Sequence, residues 1–243
     1  SGLVGSEMCI RDRYTLVPSH MREPYLVHLL HHPPCQKVEV RTDLSDVYRT
    51  HKPKLPREEA PAYPLSIIFV ARCKSAELLS RMLTELGVPN VSLHSMLPQS
   101  TRLHNLHMFR ARRVPILIST DVGSRGLDVP DVELVVNWDV PAAWEDYVHR
   151  VGRTARKGRP GWAVSFVTEH DVELVQTIED KIHKTLTEWD MPESQVLERL
   201  SHVSAAKRVA SMALHDEKFG EQRERNKRKA QASQPWSKKH HVQ

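Results

Sequence analysis

The segment 114–128, VPILISTDVGSRGLD, joins a short apolar run directly to a cluster of charged residues and glycines. The apolar part is typical of a strand that is buried on both faces of a sheet. Comparable runs, separated or followed by helical patterns, occur at 66–70, 91–94, 133–137 and 162–168. Five short apolar strands that alternate with helices predict an α/β fold built on a parallel, doubly wound sheet.

Helical spacing of apolar residues is clearest at 75–86 and 99–110, and further helices are predicted near 143–151 and 170–186. Ser75 is predicted to cap the first helix and Gly87 to end it. The second helix is predicted to turn three residues toward the core: Leu103, Leu106 and Phe109.

Three segments are predicted to lie outside the domain core. Residues 1–13 (SGLVGSEMCIRDR) look like a translated sequencing adapter, so a domain spanning 14–202 is expected, with its coding sequence starting near Tyr14. The alternative is a genuine but disordered N-terminus. Residues 33–64 contain six prolines and no periodic pattern, which predicts an inserted loop. Residues 203–243 are predicted to begin as a helix and to fray into a disordered tail.

Charge and composition narrow the class of partner. The net charge is +5, and residues 203–243 hold ten Lys/Arg against four Asp/Glu, so the basicity is concentrated in the tail. A basic tail favours a polyanion such as RNA or DNA, although a solvated arm would have the same composition.

No apolar run approaches the roughly 18 residues of a membrane span, so no membrane partner is expected. The three cysteines lie far apart, which predicts neither a zinc site nor a disulfide framework.

The loop after the 114–119 run is the first candidate site. Gly123 and Gly126 allow the backbone to approach a ligand closely. Arg125 suits a phosphate group, and a carboxylate such as Asp128 suits a ribose hydroxyl. An ordinary turn with a buried Arg–Asp pair would contain the same residue types.

The second candidate site is the basic segment 149–159, HRVGRTARKGR, which closes the helix predicted near 143–151. Arg153 and Arg156 are three positions apart, so they would share a face on a continuing helical turn. Two guanidinium groups on one face suit the spread charge of a transferring γ-phosphoryl group. A solvated basic surface or a general RNA-binding patch remains the alternative for this segment alone.

Taken in order, these segments resemble the motifs of the C-terminal, RecA-like lobe of DEAD-box RNA helicases. The QxxR element of that family falls on Gln99 and Arg102. Its TDxxxRGxD element falls on Thr120, Asp121, Arg125, Gly126 and Asp128. Its HRxGRxxR element falls on His149, Arg150, Gly152, Arg153 and Arg156. The resemblance covers about 14–220 apart from the proline-rich insertion, and one departure is Ala155, where many relatives have Gly.

The resemblance implies a role for each of these residues. Arg153 and Arg156 would be arginine fingers that reach the γ-phosphate of an ATP held by the other lobe. The remaining assignments are ATP binding by Asp128 and Gly126, support of the closed interface by His149, Arg150, Gly152 and Asp121, and RNA contact or coupling by Thr120, Arg125, Gln99 and Arg102. Contacts of the last kind go to the sugar–phosphate backbone and are largely independent of RNA sequence.

Neither a GxxxxGK[ST] P-loop nor a DEAD tetrapeptide occurs in the 243 residues. In the family these elements, and the Mg²⁺ site, belong to the N-terminal RecA-like lobe. The chain is therefore expected to hold half of a composite site, through a truncated gene prediction or through a second polypeptide, and to be inactive alone. Alternatives are a non-catalytic RNA- or protein-binding module and the equivalent lobe of another nucleic-acid translocase, for example one that acts on DNA.

The segments 14–30, ARCKSAELL and VNWD are most similar to the fungal nucleolar branch of the family, which acts in small-subunit ribosomal RNA maturation. This similarity implies a nuclear, nucleolar location and pre-rRNA as the RNA partner. It also leaves room for an activating protein partner.

Overall fold

The computed structural model describes residues 10–35, 63–124, 129–155, 160–217 and 219. These residues contain one parallel sheet of seven strands in the order β3-β4-β2-β5-β6-β1-β7. The strands are β1 (Ile10–Leu16), β2 (Ser66–Phe69), β3 (Asn90–Leu93), β4 (Ile116–Ser119), β5 (Leu134–Asn137), β6 (Gly161–Val167) and β7 (Thr187–Glu188). The helices are α1 (Arg22–His31), α2 (Cys73–Glu85), α3 (Gln99–Arg110), α4 (Asp121–Ser124), α5 (Trp144–Val151), α6 (Val172–Ile182), α7 (Glu193–Leu197) and α8 (Leu200–Asp216).

The predicted α/β fold with a parallel sheet is confirmed. All residues of β2, β4 and β5 are buried, because helices cover both faces of the sheet. On one face α1, α2 and α8 pack over a core that includes Leu26, Leu79 and Ala206. On the other face α3, α5 and α6 pack over a core that includes Phe109 and Tyr147.

Two strands of the sheet were not predicted from the sequence. β1 pairs in parallel with β6 along its whole length, from Ile10 opposite Gly161 to Leu16 opposite Val167, and its other edge pairs with β7. Residues 10–13 thus supply part of a strand, although they were predicted from the sequence to lie outside the domain. Backbone N–H and C=O groups can form this ladder with many side-chain sequences. The proposed adapter origin of 1–13 stays a prediction, and residues 1–9 lie outside the described part of the chain.

The predicted start of α2 is wrong, whereas its predicted end is confirmed. The helix begins at Cys73 with Arg72 as the N-cap residue, so Ser75 lies inside the first turn. Gly87 follows the helix with a left-handed φ of 73°. Its N–H donates to the Thr84 carbonyl at 2.9 Å, which satisfies a carbonyl at the helix end.

α3 has the predicted bounds, but one of its three predicted core residues is wrong. Leu106 and Phe109 are buried, whereas the Leu103 side chain is 52% exposed. Successive helical residues are rotated by about 100°, which places Leu103 about 120° around the helix from Phe109.

α8 crosses the expected boundary between domain and tail at residues 202 and 203. Val203, Ala206, Ala210 and Leu214 form a buried stripe at helical spacing. The first part of the expected tail is therefore packed on the domain, while residues 220–243 lie outside the described chain. No helix among the described residues is long and apolar enough to cross a membrane.

The proline-rich insertion is described only at its two ends, because 36–62 lie outside the described residues. At its C-terminal end Tyr63 is buried, and its hydroxyl lies 3.5 Å from His31 Nε2. This end of the expected loop therefore belongs to the packed core.

Candidate functional site

The candidate residues collect at the carboxyl edge of the sheet, where all parallel strands end on the same side. β3 leads into His94, β4 leads into Thr120 and Asp121, and β5 leads into Asp139. Ligands in open α/β sheets bind at this edge. Two of the three predicted motifs, QxxR and TDxxxRGxD, begin at this edge, and the third reaches it through Arg150.

Arg150 is the centre of this arrangement. Its side chain is only 3% exposed. Its guanidinium donates to both carboxylate oxygens of Asp121, at 2.7 and 2.6 Å. It also donates to the Asp139 carbonyl at 2.7 Å and to Asn137 Oδ1 at 3.3 Å, and it lies 5.2 Å from the centre of the Phe69 ring. A buried charge is tolerated when it is paired and hydrogen-bonded, so Arg150 holds α5 against the ends of β4 and β5.

Asp139 and Arg22 were not singled out from the sequence. Asp139 Oδ2 accepts from the Ala71 N–H at 2.7 Å, and Oδ1 accepts from Arg22 Nη2 at 2.9 Å. The Arg22 guanidinium also lies 4.3 Å from the centre of the Trp138 ring. The position of Asp139 directly after a strand was the one sequence signal that could have found it, because carboxyl ends of parallel strands carry the sites.

Arg102 joins the QxxR element to the TDxxxRGxD element. It donates from Nη1 to Gln99 Oε1 at 3.0 Å and from Nη2 to the Gly123 carbonyl at 3.2 Å. Its Nε is buried and has no hydrogen-bond partner among the described residues. Gln99 is exposed at the start of α3, so Arg102 orients an amide that faces solvent.

Thr120 and Gly123 have local roles in the turn after β4. Thr120 is 5% exposed, and its hydroxyl accepts from the Gly123 N–H at 3.1 Å. The prediction that Gly123 allows close approach to a ligand stays a prediction, and the structure shows a close approach of Gly123 to a neighbouring strand. A Cβ atom at Gly123 would lie 2.2 Å from the Leu93 carbonyl oxygen, so the close approach is to β3.

The end of α5 corrects the predicted arrangement of the two arginines. The helix ends at Val151, Gly152 and Arg153 form a turn, and Ala155 has a left-handed φ of 56°. The predicted continuing helical turn is therefore interrupted before Arg156, which itself lies outside the described residues. His149 is exposed on the last turn of α5, whereas Arg153 is half-buried.

Four predicted site residues lie outside the described part of the chain: Arg125, Gly126, Asp128 and Arg156. Their assigned roles stay predictions.

His94 and Glu77 form a buried pair that the sequence did not indicate. His94 is 0% exposed, and its Nε2 lies 3.2 Å from Glu77 Oε2. Glu77 also accepts from Arg81 Nε at 3.1 Å. Burial alone would raise the pKa of Glu77, but the hydrogen bonds from His94 and Arg81 outweigh it and hold the pKa below its ordinary value of 4.5.

Comparison with known proteins agrees with this fold. The helicase conserved C-terminal domain matches residues 58–158. The structure resembles the Escherichia coli DEAD-box protein SrmB, solved in complex with the regulator RraA, with a TM-score of 0.60 and 30% identity over 76% of this chain and 92% of that one. The chain belongs to the DEAD-box RNA helicases and contains the C-terminal, RecA-like lobe of that family.

Two similar fungal relatives carry the name DBP8. The chain is 52% identical to the ATP-dependent RNA helicase DBP8 of Mycosarcoma maydis, over 90% of this chain and 46% of the relative. It is 43% identical to the protein of that name from Saccharomyces cerevisiae strain YJM789, with the same coverage. The chain thus spans about half the length of these relatives. A solved Saccharomyces cerevisiae Dbp5, bound to RNA and ADP BeF3, has a TM-score of 0.59 and 26% identity, over 82% of this chain and 46% of that one.

Proposed function

We propose that the chain works as one lobe of an ATP-dependent RNA helicase, which couples ATP hydrolysis to local unwinding of RNA duplexes. The observation that carries this proposal is the state of Arg153. Its guanidinium has no partner among the described residues, while its backbone is held on both sides. The Arg153 N–H donates to the Arg150 carbonyl at 3.0 Å, and its own carbonyl accepts from the Val132 N–H at 2.9 Å.

A side chain that leaves from a fixed backbone position is suited to reach across an interface. Arg150 fixes the helix that precedes it, so the position of Arg153 is determined by the Arg150–Asp121 pair. A planar guanidinium can donate two parallel hydrogen bonds to phosphate oxygens. ATP, held by the other lobe, would supply the phosphoryl group for transfer, and Arg153 would stabilise the charge that develops on it. Arg156 is proposed as a second donor.

The proposed contacts to the triphosphate and to the ribose of ATP have different support in the structure. Arg153 offers a guanidinium, without a partner in the described part of the chain, that suits the triphosphate. Asp128 and Gly126, proposed for the ribose side, lie outside the described residues. No group of three or more His, Cys, Asp or Glu side chains that could hold a metal occurs in the described ranges. The Mg²⁺ ligands are proposed to belong to the N-terminal lobe, as the family resemblance implies.

The RNA contact is proposed for the face where the QxxR and TDxxxRGxD elements meet. Gln99 is exposed there, and Arg102 orients it while contacting the backbone of Gly123. Thr120 would act by holding this turn, because its hydroxyl is already used by Gly123. Arg125 is proposed to complete the contact. The Dbp5 complex with RNA and ADP BeF3 supports binding of both ligands by a related fold.

We further propose that the protein acts in ribosome biogenesis, with pre-rRNA as its substrate and the nucleolus as its location. It rests on the resemblance of 14–30 and neighbouring segments to the nucleolar branch of the family. The similarity to relatives named DBP8 is compatible with one specialised branch. An activating protein is proposed as well, since SrmB was solved with RraA and Dbp5 with Gle1.

The test is an ATPase assay on a fusion of this chain to the N-terminal lobe of a DBP8 relative. The unfused chain should show no RNA-stimulated turnover, and the fusion should restore it, since a covalent link raises the effective concentration of one lobe at the other. Arg153→Lys in the fusion should lower turnover by about 10³-fold or more while ATP affinity changes little. Arg208→Lys, on the exposed face of α8, is the matched control.

Two outcomes would contradict the proposal. Turnover by the unfused chain that Arg153→Ala abolishes would place the whole site in this lobe. Normal turnover by Arg153→Lys together with lost RNA binding would make the HRVGRTAR segment a nucleic-acid patch and favour a binding role over a catalytic one.

A further inference from the structure

The end of α8 reaches the carboxyl edge of the sheet and contacts the residue that begins the QxxR loop. Arg81 of α2 donates to both carboxylate oxygens of Glu217, at 2.8 and 2.5 Å. Phe219 is held by a hydrogen bond from its N–H to the Leu214 carbonyl, at 3.2 Å. Its ring then stands edge-on to the His94 ring, with centroids 6.1 Å apart and planes at 77°.

The buried side chain of His94 has few hydrogen bonds among the described residues. Its Nε2 is paired with Glu77, but its Nδ1 is buried without a hydrogen-bond partner among the described residues. Glu77 accepts from Ser92 Oγ at 3.3 Å and from Arg81 at 3.1 Å. The same Arg81 therefore connects Glu77 to Glu217, and α8 reaches His94 along two routes, one ionic and one aromatic.

The backbone of His94 touches both proposed RNA elements. The Leu97 N–H donates to the His94 carbonyl at 3.2 Å, which closes the turn that leads to Gln99. On the other side, a Cβ atom at Gly123 would lie only 3.0 Å from the His94 Cα. Any shift of His94 would therefore move the turn before Gln99 and press on the turn after β4.

We infer that Phe219 and Glu217 are positioning residues for RNA binding, which act through His94 and Arg81 on the loop before Gln99. This inference rests on the proposed RNA contact of that loop. An edge-on aromatic pair stabilises the arrangement of its two rings beyond the effect of the area it buries. Without the Phe219 ring, His94 keeps one hydrogen bond and gains freedom to turn, so the RNA-bound arrangement of the loop becomes less populated. The chemical step, which depends on Arg153, is unchanged.

The structural half of the inference is tested on the 243-residue chain by amide hydrogen exchange. Phe219→Ala should speed exchange in 94–99 by about threefold or more, the change expected for loss of one such aromatic contact. Met212→Ala is the matched control, because it truncates an apolar side chain of the same helix that is 61% exposed. Unchanged exchange in 94–99, or an equal change in the control, would overturn the inference.

The functional half uses the two-lobe fusion with poly(U) RNA. Phe219→Ala and Glu217→Gln should each raise the KM for RNA several-fold at unchanged kcat, and Phe219→Tyr, which keeps the ring edge, should restore it. In a Gln99→Ala background, Phe219→Ala should add little, because both changes act on one loop. If the effects of Gln99→Ala and Phe219→Ala on the KM for RNA multiply in the double variant, the positioning role is refuted. A loss of activity confined to kcat would refute it as well. A parent fusion without RNA-stimulated turnover would instead refute the proposed function.

Discussion

Arg150 and Asp121 form a two-pronged ion pair across 29 positions of the chain. The pair fastens the helix that ends at the HRVGR segment to the turn that begins the TDVGSRG segment. Two motifs that are separate in sequence thereby become one rigid unit. The placement of Arg153 relative to the sheet edge depends on this unit, because Arg153 lies in the turn directly after α5 and its N–H donates to the Arg150 carbonyl.

Asp121→Asn should destabilise the domain by about 3–5 kcal/mol, because it leaves a buried guanidinium without its counter-charge. Urea unfolding followed by circular dichroism measures the change. Asp216→Asn, at an exposed site near the end of α8, should alter the free energy of unfolding by less than about 0.5 kcal/mol. A similar small effect of Asp121→Asn would show that the pair does not hold the site together.

Ala155→Gly should stabilise the domain by about 1 kcal/mol, because Ala155 has a φ of 56° that an L side chain disfavours. Thermal unfolding should show a higher Tm. The matched substitution Ala205→Gly, in the interior of α8, should have the opposite sign and destabilise by about 1 kcal/mol. Equal signs in the two variants would contradict the left-handed turn after α5.

Gly123→Ala should destabilise the domain by about 1–3 kcal/mol or more, because the added methyl group would meet the backbone of β3 rather than a flexible side chain. In the two-lobe fusion it should also weaken RNA binding, since the turn contacts Arg102. Val122→Ala at the exposed neighbouring position serves as control and should change neither quantity appreciably. Wild-type stability of Gly123→Ala would show that the contact with Leu93 is loose.

Acid should remove the contribution of the Glu77 carboxylate to the free energy of unfolding. Its pKa lies below the ordinary 4.5, so the ionised form stabilises the folded state. That contribution is fully present above pH 4.5 and is lost as the pH falls through the lower, folded-state pKa. Unfolding free energies measured across this range should fall less steeply in Glu77→Gln than in the parent. Glu85→Gln, exposed at the end of the same helix, should leave the slope as it is.

Deletion of 221–243 should weaken RNA binding by the fusion to a similar degree for different sequences. It should also flatten the dependence of log affinity on log salt, because fewer counterions are released. Fluorescence anisotropy at several salt concentrations measures the slope. An unchanged slope would reduce this basic segment to a solvated arm.

The sequence was most informative where local chemistry decides the structure. The apolar spacing at 99–110 predicted the bounds of α3, and Gly87 predicted the end of α2. The order of the motifs indicated the family, because their spacing reflects the loops at one sheet edge.

Relationships between distant residues could not be predicted in the same way. The partner of Asp121 was not evident, since any of several arginines could have paired with it. The aromatic contact of Phe219 with His94 depends on how α8 packs, which local spacing does not reveal. Ala155 carries a side chain that gives no local sign of a left-handed turn, and helical spacing therefore suggested a continuing helix.

The position of β1 in the sheet has a consequence for synthesis of the chain. β1 comes from the first of the described segments, yet its two neighbours, β6 and β7, end at Val167 and Glu188. During translation its N–H and C=O groups have no sheet partner on either side until those segments have been made. Unpaired strand edges are templates for pairing with other chains. Until β6 and β7 have been made, both edges of β1 are therefore open to pairing with other chains.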